Sequence, residues 1–324
     1  MQQNIKWGII GCGDVTEVKS GPAYSLVEGF ELVAVMRRTL ELAKDYAKRH
    51  HVKKYYDDAE ALINDKEVDA VYIATPPDSH HFYALKVAEA NKICCIEKPM
   101  APSYKECLEI TIAFAKRELP LFVAYYRRSL PRFNKIKALL EAQSIGEVRH
   151  IYWNLSRTQS DVDRSKDYNW RTDATIAPAG YFDDLASHGL DLFIYLLGDI
   201  EVAKGISLNQ QNIYSAKDAI SGNWMHKSGV LGVASWNFGV YKREDKVRIV
   251  GSKGEINFSI FLDEPIVLLT NGNRNEFHID NPKHIQKYHV ENMQQHLKKQ
   301  IQHPSTGSTA THTTWVMDSI LDKI

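Results

Sequence analysis

Lys98 is a side chain whose type and position could serve catalysis. It lies in Glu97-Lys98-Pro99, directly after the apolar run 93–96. In a parallel sheet, ligands bind beyond the carboxyl ends of the strands, where this lysine is expected. There it can hydrogen-bond a substrate hydroxyl, stabilise a developing alkoxide, or lower the pKa of a neighbouring acid. By itself, the segment is equally compatible with a solvated lysine in a loop before a helix.

Asp184 and His188 form a second candidate for proton transfer. In a helix, these residues and Asp191 would share one face, because side chains three and four positions apart are neighbours. A carboxylate one turn from an imidazole can orient the ring, fix its tautomer and raise its pKa. Such a pair suits general acid–base catalysis at an alcohol carbon. The alternative is a structural histidine at a domain interface, which is the more common role of a single histidine.

The N-terminal residues predict a dinucleotide-binding turn. The apolar run Ile5–Ile10 leads directly into Gly11, and Gly13 follows two residues later. Gly11 allows a tight turn, Gly13 lets the backbone approach a pyrophosphate, and the next helix directs its N–H groups at that charge. Thr16 occupies the place of the usual third glycine, so an ordinary strand-to-helix turn is the alternative. The residues expected to contact the cofactor here are Gly11, Cys12, Gly13, Asp14 and Val15.

The end of the second predicted strand favours NADP(H) over NAD(H). NAD-binding turns usually place an acidic residue there to bind the ribose diol. This chain has Arg37-Arg38 instead, and two guanidinium groups can bind a 2′-phosphate through charge-assisted hydrogen bonds. The alternative is that both are exposed charges at the start of a helix, so NAD stays open as the cofactor.

A further strand end carries Thr75-Pro76-Pro77-Asp78-Ser79-His80. Paired prolines fix an extended crossing, and Asp78 or Ser79 can cap the helix that follows. Because this strand end lies beside the others, the segment is a candidate wall of the cofactor site. Thr75, Pro76 and His80 are therefore predicted to bind the cofactor.

Composition limits the partners and the compartment. The 324 residues include 40 Lys+Arg and 40 Asp+Glu, so the net charge is zero, and no basic patch suggests nucleic acid. No apolar run approaches the roughly 18–20 residues that cross a bilayer, and the N-terminus lacks the basic region of a secretion signal. Cys12, Cys94, Cys95 and Cys107 show neither metal-ligand nor disulfide spacing. These features predict a cytoplasmic protein with a small-molecule substrate, no metal, and no nucleic-acid or membrane partner.

The first part of the chain alternates apolar runs with amphipathic helical patterns. We expect strands at 5–10, 31–36, 70–74, 93–97 and 121–124, and helices at 40–50, 79–90 and 103–118. Apolar strands that alternate with helices indicate a parallel sheet covered on both faces, which right-handed crossovers make doubly wound. The sequence therefore predicts an N-terminal Rossmann domain over residues 1–122.

The second part of the chain has a different pattern. Helices are expected at 132–142 and 185–197, and a half-exposed strand at 148–156. Short strands follow at 202–208, 222–226, 230–237, 246–250, 256–259 and 266–270, and then helices at 284–303 and 310–322. Such strands suggest an open, mostly antiparallel sheet with one face in solvent. We therefore expect an α/β protein whose second domain, 123–324, is an α+β substrate-binding domain, with a C-terminal helix that can pack back on the first.

Together, these segments resemble the Gfo/Idh/MocA family of NAD(P)-dependent oxidoreductases. The family combines a glycine-rich N-terminal turn, a Thr-Pro…His segment, Glu-Lys-Pro and, in its second domain, Gly-Gly-Gly…Asp-x-Gly-x-His-x-x-Asp. The resemblance covers nearly the whole chain, including Tyr125-Tyr126-Arg127-Arg128 and Trp170-Arg171. It implies a catalytic set of Lys98, Asp184 and His188, with His188 as proton donor or acceptor. It also implies cofactor contacts from Glu97, Lys98, Trp170 and Arg171.

Two positions depart from the family pattern. The glycine run before the catalytic helix is here Pro178-Ala179-Gly180, so only Gly180 remains. Ala186 replaces the glycine between Asp184 and His188, which adds one methyl group within a helix. We expect the first change to alter the local pocket and the second to be harmless.

The chemistry implied by the resemblance is hydride transfer between nicotinamide and a secondary alcohol or ketone. The family acts typically on sugars, polyols and their keto derivatives. A keto or anhydro sugar, as in the reduction of 1,5-anhydro-D-fructose, is the most specific expectation. By position, the candidate substrate contacts are Arg157, Tyr168, Asn169 and Tyr181, although each is equally compatible with a surface role.

Two other functions remain open from the sequence. Some relatives bind NAD(P) as sugar-sensing regulators, although a sensor has no need for Lys98, Asp184 and His188 together. Others are NAD-dependent glycosidases, in which hydride removal at one carbon activates elimination at another, and these usually hold the cofactor tightly.

The second-domain sheet predicts a homodimer, or a homotetramer built as a dimer of dimers. A sheet face without helices tends to be buried against a second copy. The apolar segment 230–234, together with the aromatic side chains of Trp224, Trp236 and Phe238, supports such a face.

Overall fold

The computed structural model describes residues 4–165 and 167–324, and the chain divides into two compact units. The first unit is the chain up to Ser129 together with Pro282–Thr311, and the second is Leu130–Asn281 together with His312–Ile324. The division predicted from the sequence is 1–122 and 123–324, with a C-terminal helix that can pack back on the first domain. In the structure, the boundary lies after Ser129, and a segment near the C-terminus belongs to the first unit.

Six parallel strands form the sheet of the first unit in the described chain: β1 (Ile5–Ile10), β2 (Phe30–Met36), β3 (Lys54–Tyr56), β4 (Ala70–Ile73), β5 (Ile93–Ile96) and β6 (Leu121–Val123). Their order is β3-β2-β1-β4-β5-β6, which is the Rossmann order with its switch point beside β1. Alternate residues of β4 belong to two separate apolar clusters, Val71 and Ile73 to one, Ala70 and Tyr72 to the other. The sheet is thus covered on both faces, and the predicted doubly wound fold is confirmed.

Two helices of the first unit begin at side-chain caps that the sequence supplies. The helices within the first stretch of chain are α1 (Asp14–Val18), α2 (Ala23–Leu26), α3 (Leu40–Arg49), α4 (Ala59–Asn64), α5 (His80–Glu89) and α6 (Tyr104–Ala115). The side chain of Asp58 accepts the N–H of Glu60 at 2.9 Å and caps α4. Ser103 caps α6, accepting the N–H of Glu106 at 3.3 Å and donating to its carboxylate at 2.8 Å.

The segment Pro282–Thr311 completes the first unit from a distant part of the chain. It contains α10 (Lys287–Leu297), and it reaches β6, where Ser305 donates its hydroxyl to Val123 O at 2.7 Å. Phe122 and Thr306 form an isolated antiparallel bridge at the same edge. The edge of the sheet at β6 is therefore hydrogen-bonded to residues that come after the second unit's sheet in the sequence.

Eight strands form the sheet of the second unit in the described chain: β7 (Val148–Ser156), β8 (Ile200–Leu208), β9 (Ala219–His226), β10 (Leu231–Asn237), β11 (Glu244–Gly251), β12 (Gly254–Phe258), β13 (Ile266–Thr270) and β14 (Asn273–Phe277). Their order is β14-β13-β12-β11-β7-β10-β9-β8. The pair β7–β10 is parallel and the other pairs are antiparallel. The predicted open, mostly antiparallel sheet is confirmed.

Aromatic side chains fix the long helix of the second unit against the sheet. Its helices are α7 (Pro131–Glu141), α8 (Asp161–Ser165), α9 (Tyr181–Leu197) and α11 (Gly307–Ile320), the last of which crosses the division between the units. Phe193 of α9 meets Trp153 edge to face at 5.5 Å between ring centroids, and Phe182 meets Trp236 in the same way at 4.9 Å. Within the described ranges, no helix is both long and apolar enough to span a membrane.

The other face of this sheet is apolar, through Leu231 and Val233 of the predicted segment 230–234 but not through the three predicted aromatic side chains. Trp224, Trp236 and Phe238 are each no more than 2% exposed and belong to the core. They lie on the covered face because successive side chains of a strand point to opposite faces. The open face carries exposed apolar side chains on β8 and β10, 43–68% accessible: Val202, Ile206, Leu208, Leu231 and Val233.

Candidate active site

The turn after β1 has a backbone that fits a dinucleotide. Gly11 has φ +88°, and a Cβ atom there would lie 2.8 Å from Thr75 Cγ2 and 3.0 Å from Ala74 O, so glycine is required. Around Gly13 there is open space, since a Cβ atom would meet nothing nearer than Gly11 O at 3.9 Å. Thr16 donates its hydroxyl to Gly13 O at 2.8 Å, which closes the turn without the third glycine. A pyrophosphate fits against the backbone at Gly13.

Arg37 and Arg38 lie at the carboxyl end of β2, the strand beside β1. Arg37 is half-buried and its N–H donates to Tyr56 O at 3.1 Å, while Arg38 is exposed. Two cations at this strand end fit a phosphate on the adenosine ribose. In the turn itself, Cys12 is buried and Asp14 is exposed, so Cys12 would meet the cofactor through its backbone.

His80, predicted to bind the cofactor, is buried between two loops. Its ring nitrogens lie 3.0 Å from Pro99 O and 2.8 Å from Thr75 O. Burial lowers the pKa of His80, against the opposing effects of these carbonyls and of Glu97. The ring therefore ties the Thr75 loop to the loop that carries Lys98. Both ring nitrogens are used on the protein's own backbone, and a cofactor contact of His80 stays a prediction.

Glu97 is the centre of a buried hydrogen-bond cluster beside Lys98. Its carboxylate accepts from the Tyr72 hydroxyl at 2.5 Å, from Gln286 Nε2 at 2.6 Å and from the Lys98 backbone N–H at 3.0 Å. Burial and the charge of Glu97 raise the pKa of Tyr72, so its hydroxyl keeps the proton that it donates. Three donors satisfy the carboxylate and fix the turn that carries Lys98. The carboxyl group that was predicted to contact the cofactor is thus used within the protein.

Neither side-chain donor of this cluster can be predicted from the sequence. Tyr72 lies inside an apolar strand, where a tyrosine is expected to be a core residue and not a hydrogen-bond donor to a functional site. Gln286 is separated from Glu97 by 189 residues, so no local pattern joins them. The one available signal was the carboxylate itself, because an acid directly after a buried strand needs hydrogen-bond donors.

Helix α9 places Asp184 and His188 one turn apart, as their spacing predicts. Both side chains are buried. The ring of His188 packs edge-on against Phe261, with 5.9 Å between the centroids. Asp191, one turn further along, accepts the Thr313 hydroxyl at 3.0 Å. The predicted acid–base pair is therefore held on one well-packed helix of the second unit.

Arg171 is bonded to Asp184. Its Nε donates to Asp184 Oδ2 at 2.5 Å, and its guanidinium lies 4.4 Å from the centre of the Trp170 ring. The family resemblance implies that Trp170 and Arg171 contact the cofactor. In the structure, the Arg171 guanidinium is hydrogen-bonded to Asp184, which the same resemblance implies is catalytic.

Of the four predicted substrate contacts, two use their polar atoms inside the protein. The buried Tyr181 donates its hydroxyl to Asp163 Oδ1 at 2.6 Å and accepts from Asn169 Nδ2 at 3.0 Å. Arg157 lies over the Tyr181 ring at 5.0 Å, and Tyr168 is 76% exposed. Asp163 was not selected from the sequence, because an isolated aspartate in a polar stretch looks like a surface residue.

The loop before α9 tolerates the loss of two family glycines. Gly180 has φ +64°, and a Cβ atom there would lie 2.6 Å from Lys217 O, so the glycine that remains is the one the backbone requires. Pro178 O accepts the N–H of Lys217 at 3.1 Å. The N–H of Ala179 donates to the Asp183 carboxylate at 2.9 Å. Burial raises the pKa of Asp183 to about 6, and the hydrogen bond from Ala179 opposes this shift. The substitutions thus keep a bonded loop at the start of the helix.

Known proteins share this architecture. Residues 5–125 match the Gfo/Idh/MocA oxidoreductase family with its NAD-binding Rossmann fold, and residues 133–257 match the Gfo/Idh/MocA C-terminal domain. Oxidoreductase P35 of Formosa agariphila is 38% identical over 98% of both chains. Trans-1,2-dihydrobenzene-1,2-diol dehydrogenase of Sus scrofa is 25% identical over 84% of this chain and 79% of its own. A levoglucosan dehydrogenase in complex with NADH and levoglucosan has a TM-score of 0.86 at 19% identity, covering 99% of this chain and 97% of that one.

The fold and the relatives define an NAD-binding oxidoreductase, an enzyme that acts on CH–OH groups. More closely, the chain belongs to the Gfo/Idh/MocA family, which both matched regions and the 38% identical relative establish. The family resemblance seen in the sequence is therefore confirmed.

Proposed function

We propose that this enzyme transfers a hydride between a nicotinamide cofactor and a secondary alcohol or ketone of a sugar, an anhydro sugar or a polyol. The observation that carries the proposal is α9, which presents Asp184 and His188 one turn apart, both buried. An imidazole with a neighbouring carboxylate is suited to exchange a proton with an alcohol oxygen. Lys98 adds an ammonium group after β5, in a turn that Glu97 fixes.

The reaction divides its tasks between cofactor and protein. The nicotinamide, when bound, gives or takes the hydride. Lys98 donates a hydrogen bond to the substrate oxygen and stabilises its negative charge. His188 accepts the hydroxyl proton during oxidation and returns it during reduction, and Asp184 orients the imidazole. The backbone at Gly11 and Gly13 receives the pyrophosphate.

Relatives support the substrate class. Levoglucosan, which the levoglucosan dehydrogenase complex contains, is an anhydro sugar, and the diol named for the Sus scrofa relative carries two secondary alcohols. The favoured candidate is therefore an anhydro sugar with a free secondary alcohol or ketone, of which levoglucosan and 1,5-anhydro-D-fructose are two examples. Arg157 and Tyr168 stay as proposed contacts for its hydroxyl groups.

The proposed cofactor is NADP(H) in preference to NAD(H). Although the levoglucosan dehydrogenase complex contains NADH, this chain ends β2 in Arg37 and Arg38. The half-buried position of Arg37 supports the proposal, because its backbone N–H is bonded to Tyr56 O. A guanidinium group can donate two parallel hydrogen bonds to two oxygens of a phosphate.

A panel of anhydro sugars, sugars and polyols, assayed with both cofactors through the absorbance of reduced nicotinamide, tests the function. On a substrate that the parent turns over, His188→Ala should lower kcat by about 10²–10⁴-fold and leave the cofactor Kd unchanged. Lys98→Met should abolish turnover. Asp184→Asn should cost less and move the pH optimum for oxidation downward, because His188 loses the carboxylate that favours its protonated form. Melting temperatures of the three variants serve as the control for folding.

Two results would replace the proposal. If His188→Ala turns over such a substrate at a near-normal rate, the catalytic assignment fails and the sugar-sensing regulator becomes the better function. If nicotinamide cofactor is released only on denaturation and a glycoside is cleaved without net oxidation, the NAD-dependent glycosidase is the better function.

We also propose a homodimer, or a homotetramer built from dimers, formed by a second copy on the open face of the second-unit sheet. The face is apolar around Ile206 and Leu231, and a groove of about 870 Å³ crosses it beside Tyr152 and Arg248. Arg248 lies over the Tyr152 ring at 5.0 Å, so charged and apolar areas adjoin. Self-association buries an exposed apolar patch of this kind.

A further inference from the structure

The buried carboxylate of Asp163 begins a chain of hydrogen bonds that ends at Asp184. Asp163 Oδ2 accepts the Ser160 N–H at 2.8 Å, and Oδ1 accepts the Tyr181 hydroxyl at 2.6 Å. The Tyr181 hydroxyl accepts in turn from Asn169 Nδ2 at 3.0 Å. Burial and the neighbouring Asp163 raise the pKa of Tyr181, so its hydroxyl keeps a proton to donate. Asp163 therefore fixes the orientation of Tyr181, and Tyr181 that of Asn169.

Asn169 passes this constraint on to Arg171. Its Oδ1 accepts the Arg171 N–H at 3.2 Å, and its main-chain oxygen accepts the Thr172 hydroxyl at 2.9 Å, so it caps the short 3₁₀ helix Trp170–Thr172. The guanidinium of Arg171, which rests on the Trp170 ring, then donates to Asp184 at 2.5 Å. Four consecutive hydrogen bonds thus connect Asp163 to Asp184 within the second unit.

We propose that four residues hold the Asp184 carboxylate in place and set how strongly it acts on His188: Asp163, Tyr181, Asn169 and Arg171. They are positioning residues, and their role rests on the proposed catalytic function of Asp184 and His188. Arg171 is the key member, because a carboxylate bonded to a guanidinium has part of its charge balanced and offers less to an imidazole one turn away.

Three members of the network have predicted roles that differ from positioning. Asn169 and Tyr181 were predicted substrate contacts, and Arg171 a predicted cofactor contact. The Tyr181 hydroxyl is engaged as both donor and acceptor, and both polar atoms of the Asn169 amide are bonded. A residue whose polar atoms are used in this way acts on a reaction through its neighbours.

Other charged groups surround the two ends of the network. Asp183 is the sequence neighbour of Asp184, and Asp318 and Lys323, 3.3 Å apart, act on Asp183 from the C-terminal segment. Around His188, Asp191 lies one turn along α9, and Phe261 packs on the ring. Arg157 lies over the Tyr181 ring. Among these groups, Arg171 is a cation bonded directly to Asp184, so its removal is the sharpest perturbation.

The test compares Arg171→Ala and Tyr181→Phe with a matched control, Tyr195→Phe. Tyr195 lies on the same helix, and its hydroxyl donates to Asn134 at 2.8 Å. The first measurement is an NMR titration of the His188 imidazole, assigned by its loss in His188→Gln, which needs no turnover. Arg171→Ala should move the midpoint to higher pH, since the Asp184 charge is no longer shared and a cation is lost. Tyr181→Phe should move the midpoint less, in the same direction. Arg171→Lys supplies a cation again, so its midpoint should lie between those of the parent and Arg171→Ala. Tyr195→Phe should leave the midpoint unchanged.

The second measurement separates positioning from binding. On a sugar that the parent oxidises, kcat should fall by about tenfold or more in Arg171→Ala and by about 3–10-fold in Tyr181→Phe. The Kd for NADPH, measured by its fluorescence, should stay within about twofold of the parent, because the network touches Asp184 rather than the cofactor. If Tyr181→Phe does not fold, Asn169→Ala breaks the same network at a half-buried residue and replaces it.

Two outcomes overturn the proposal. One is a His188 midpoint in Arg171→Ala that equals that of the Tyr195→Phe control. The other is a weakened NADPH affinity in Arg171→Ala with the midpoint unchanged, which would make Arg171 a cofactor contact. A midpoint that shifts as expected in a protein that oxidises no sugar of the panel supports the network and removes the proposed function instead.

Discussion

Arg37 gives the most direct test of the cofactor at the scale of a single residue. A charge-assisted hydrogen bond to phosphate is worth about 1.5–3 kcal/mol. Arg37→Ala should therefore weaken NADPH binding by roughly tenfold or more and barely change NADH binding, as measured by nucleotide fluorescence. Arg117→Ala, at an exposed arginine of the same unit, is the control and should change neither. Equal affinity of the parent enzyme for both nucleotides would contradict the preference.

Asp183 predicts a pH-dependent stability. Its pKa in the folded protein is raised by burial from 3.8 to about 6, so the folded chain holds the proton more tightly than the unfolded chain. This contribution is present at acidic pH and is lost as the pH rises from about 4 to about 6. Asp183→Asn keeps an acceptor for the Ala179 N–H and avoids the buried charge. The variant should therefore gain up to about 2 kcal/mol in free energy of unfolding relative to the parent over this interval.

Urea unfolding of the parent and of Asp183→Asn at both ends of that interval measures the difference. A difference that stays constant with pH would mean that Asp183 does not titrate in the folded state. Asp78→Asn, at an exposed carboxylate, is the control and should show no such trend.

The residues of the site differ in how far the sequence could reveal them. Asp184 and His188 were predictable, because a helical spacing of four fixes their relation locally. The donors to Glu97 were not, because Tyr72 and Gln286 meet it only after distant segments have packed. The same holds for Arg171, whose hydrogen bond to Asp184 joins the short 3₁₀ helix Trp170–Thr172 to α9.

Helix α10 and the residues after it carry histidines that predict acid sensitivity at the scale of an element. Burial lowers the pKa of His289, His296 and His303, that of His303 to about 4, with Arg128 contributing to the shift of His303. The rings of His289 and His303 lie 4.7 Å apart. The unfolded chain takes up these protons near pH 6.5 and the folded chain resists them, so the free energy of unfolding falls as the pH drops from 6.5 to about 4.

A variant at His303 measures this effect. His303→Gln should be less stable than the parent above pH 6.5, because the variant loses the edge-to-face packing of the His303 ring against Phe122 at 4.9 Å and His289 at 4.7 Å. It should lose less stability than the parent as the pH is lowered toward 4, because one buried titrating group is gone. Urea unfolding at the two pH values gives both quantities, and parallel losses in parent and variant would assign the sensitivity to other groups.

Two strands of the structure, β3 and β14, are not predicted from the sequence. β3 is three residues of Lys-Tyr-Tyr at one edge of the first sheet, and β14 is the mostly exposed Asn273–Phe277 at one edge of the second. A short or polar edge strand lacks the alternation of apolar and polar residues that marks a half-buried strand. It forms because a neighbouring strand offers hydrogen bonds, which its own sequence does not show. Strands with a buried face, such as β1, β7 and β13, had the predicted bounds because burial imposes the pattern.

At the scale of the whole molecule, the open face of the second sheet predicts self-association. Ile206→Asp would place a carboxylate in an apolar contact between copies, where burying an unpaired charge is costly. We expect it to weaken the dimer by about 10²-fold or more, as measured by sedimentation at micromolar concentration. Tyr241→Asp is the matched control, because Tyr241 is exposed but lies in the loop after β10. A parent enzyme that sediments as a monomer would contradict the proposal.

The return of Pro282–Thr311 to the first unit bears on how the polypeptide matures during translation. Strands β1 to β6 leave the ribosome early, yet Glu97 lacks Gln286 and Val123 lacks Ser305 until the late segment follows. At about 5–20 residues per second, the intervening Leu130–Asn281 takes roughly 8–30 s to synthesise. Throughout that delay Glu97 has only two of its three donors, Tyr72 and the Lys98 backbone N–H, and the sheet edge at β6 lacks its bonds to the late segment. We therefore expect the first unit to complete its packing only after Pro282–Thr311 has been synthesised.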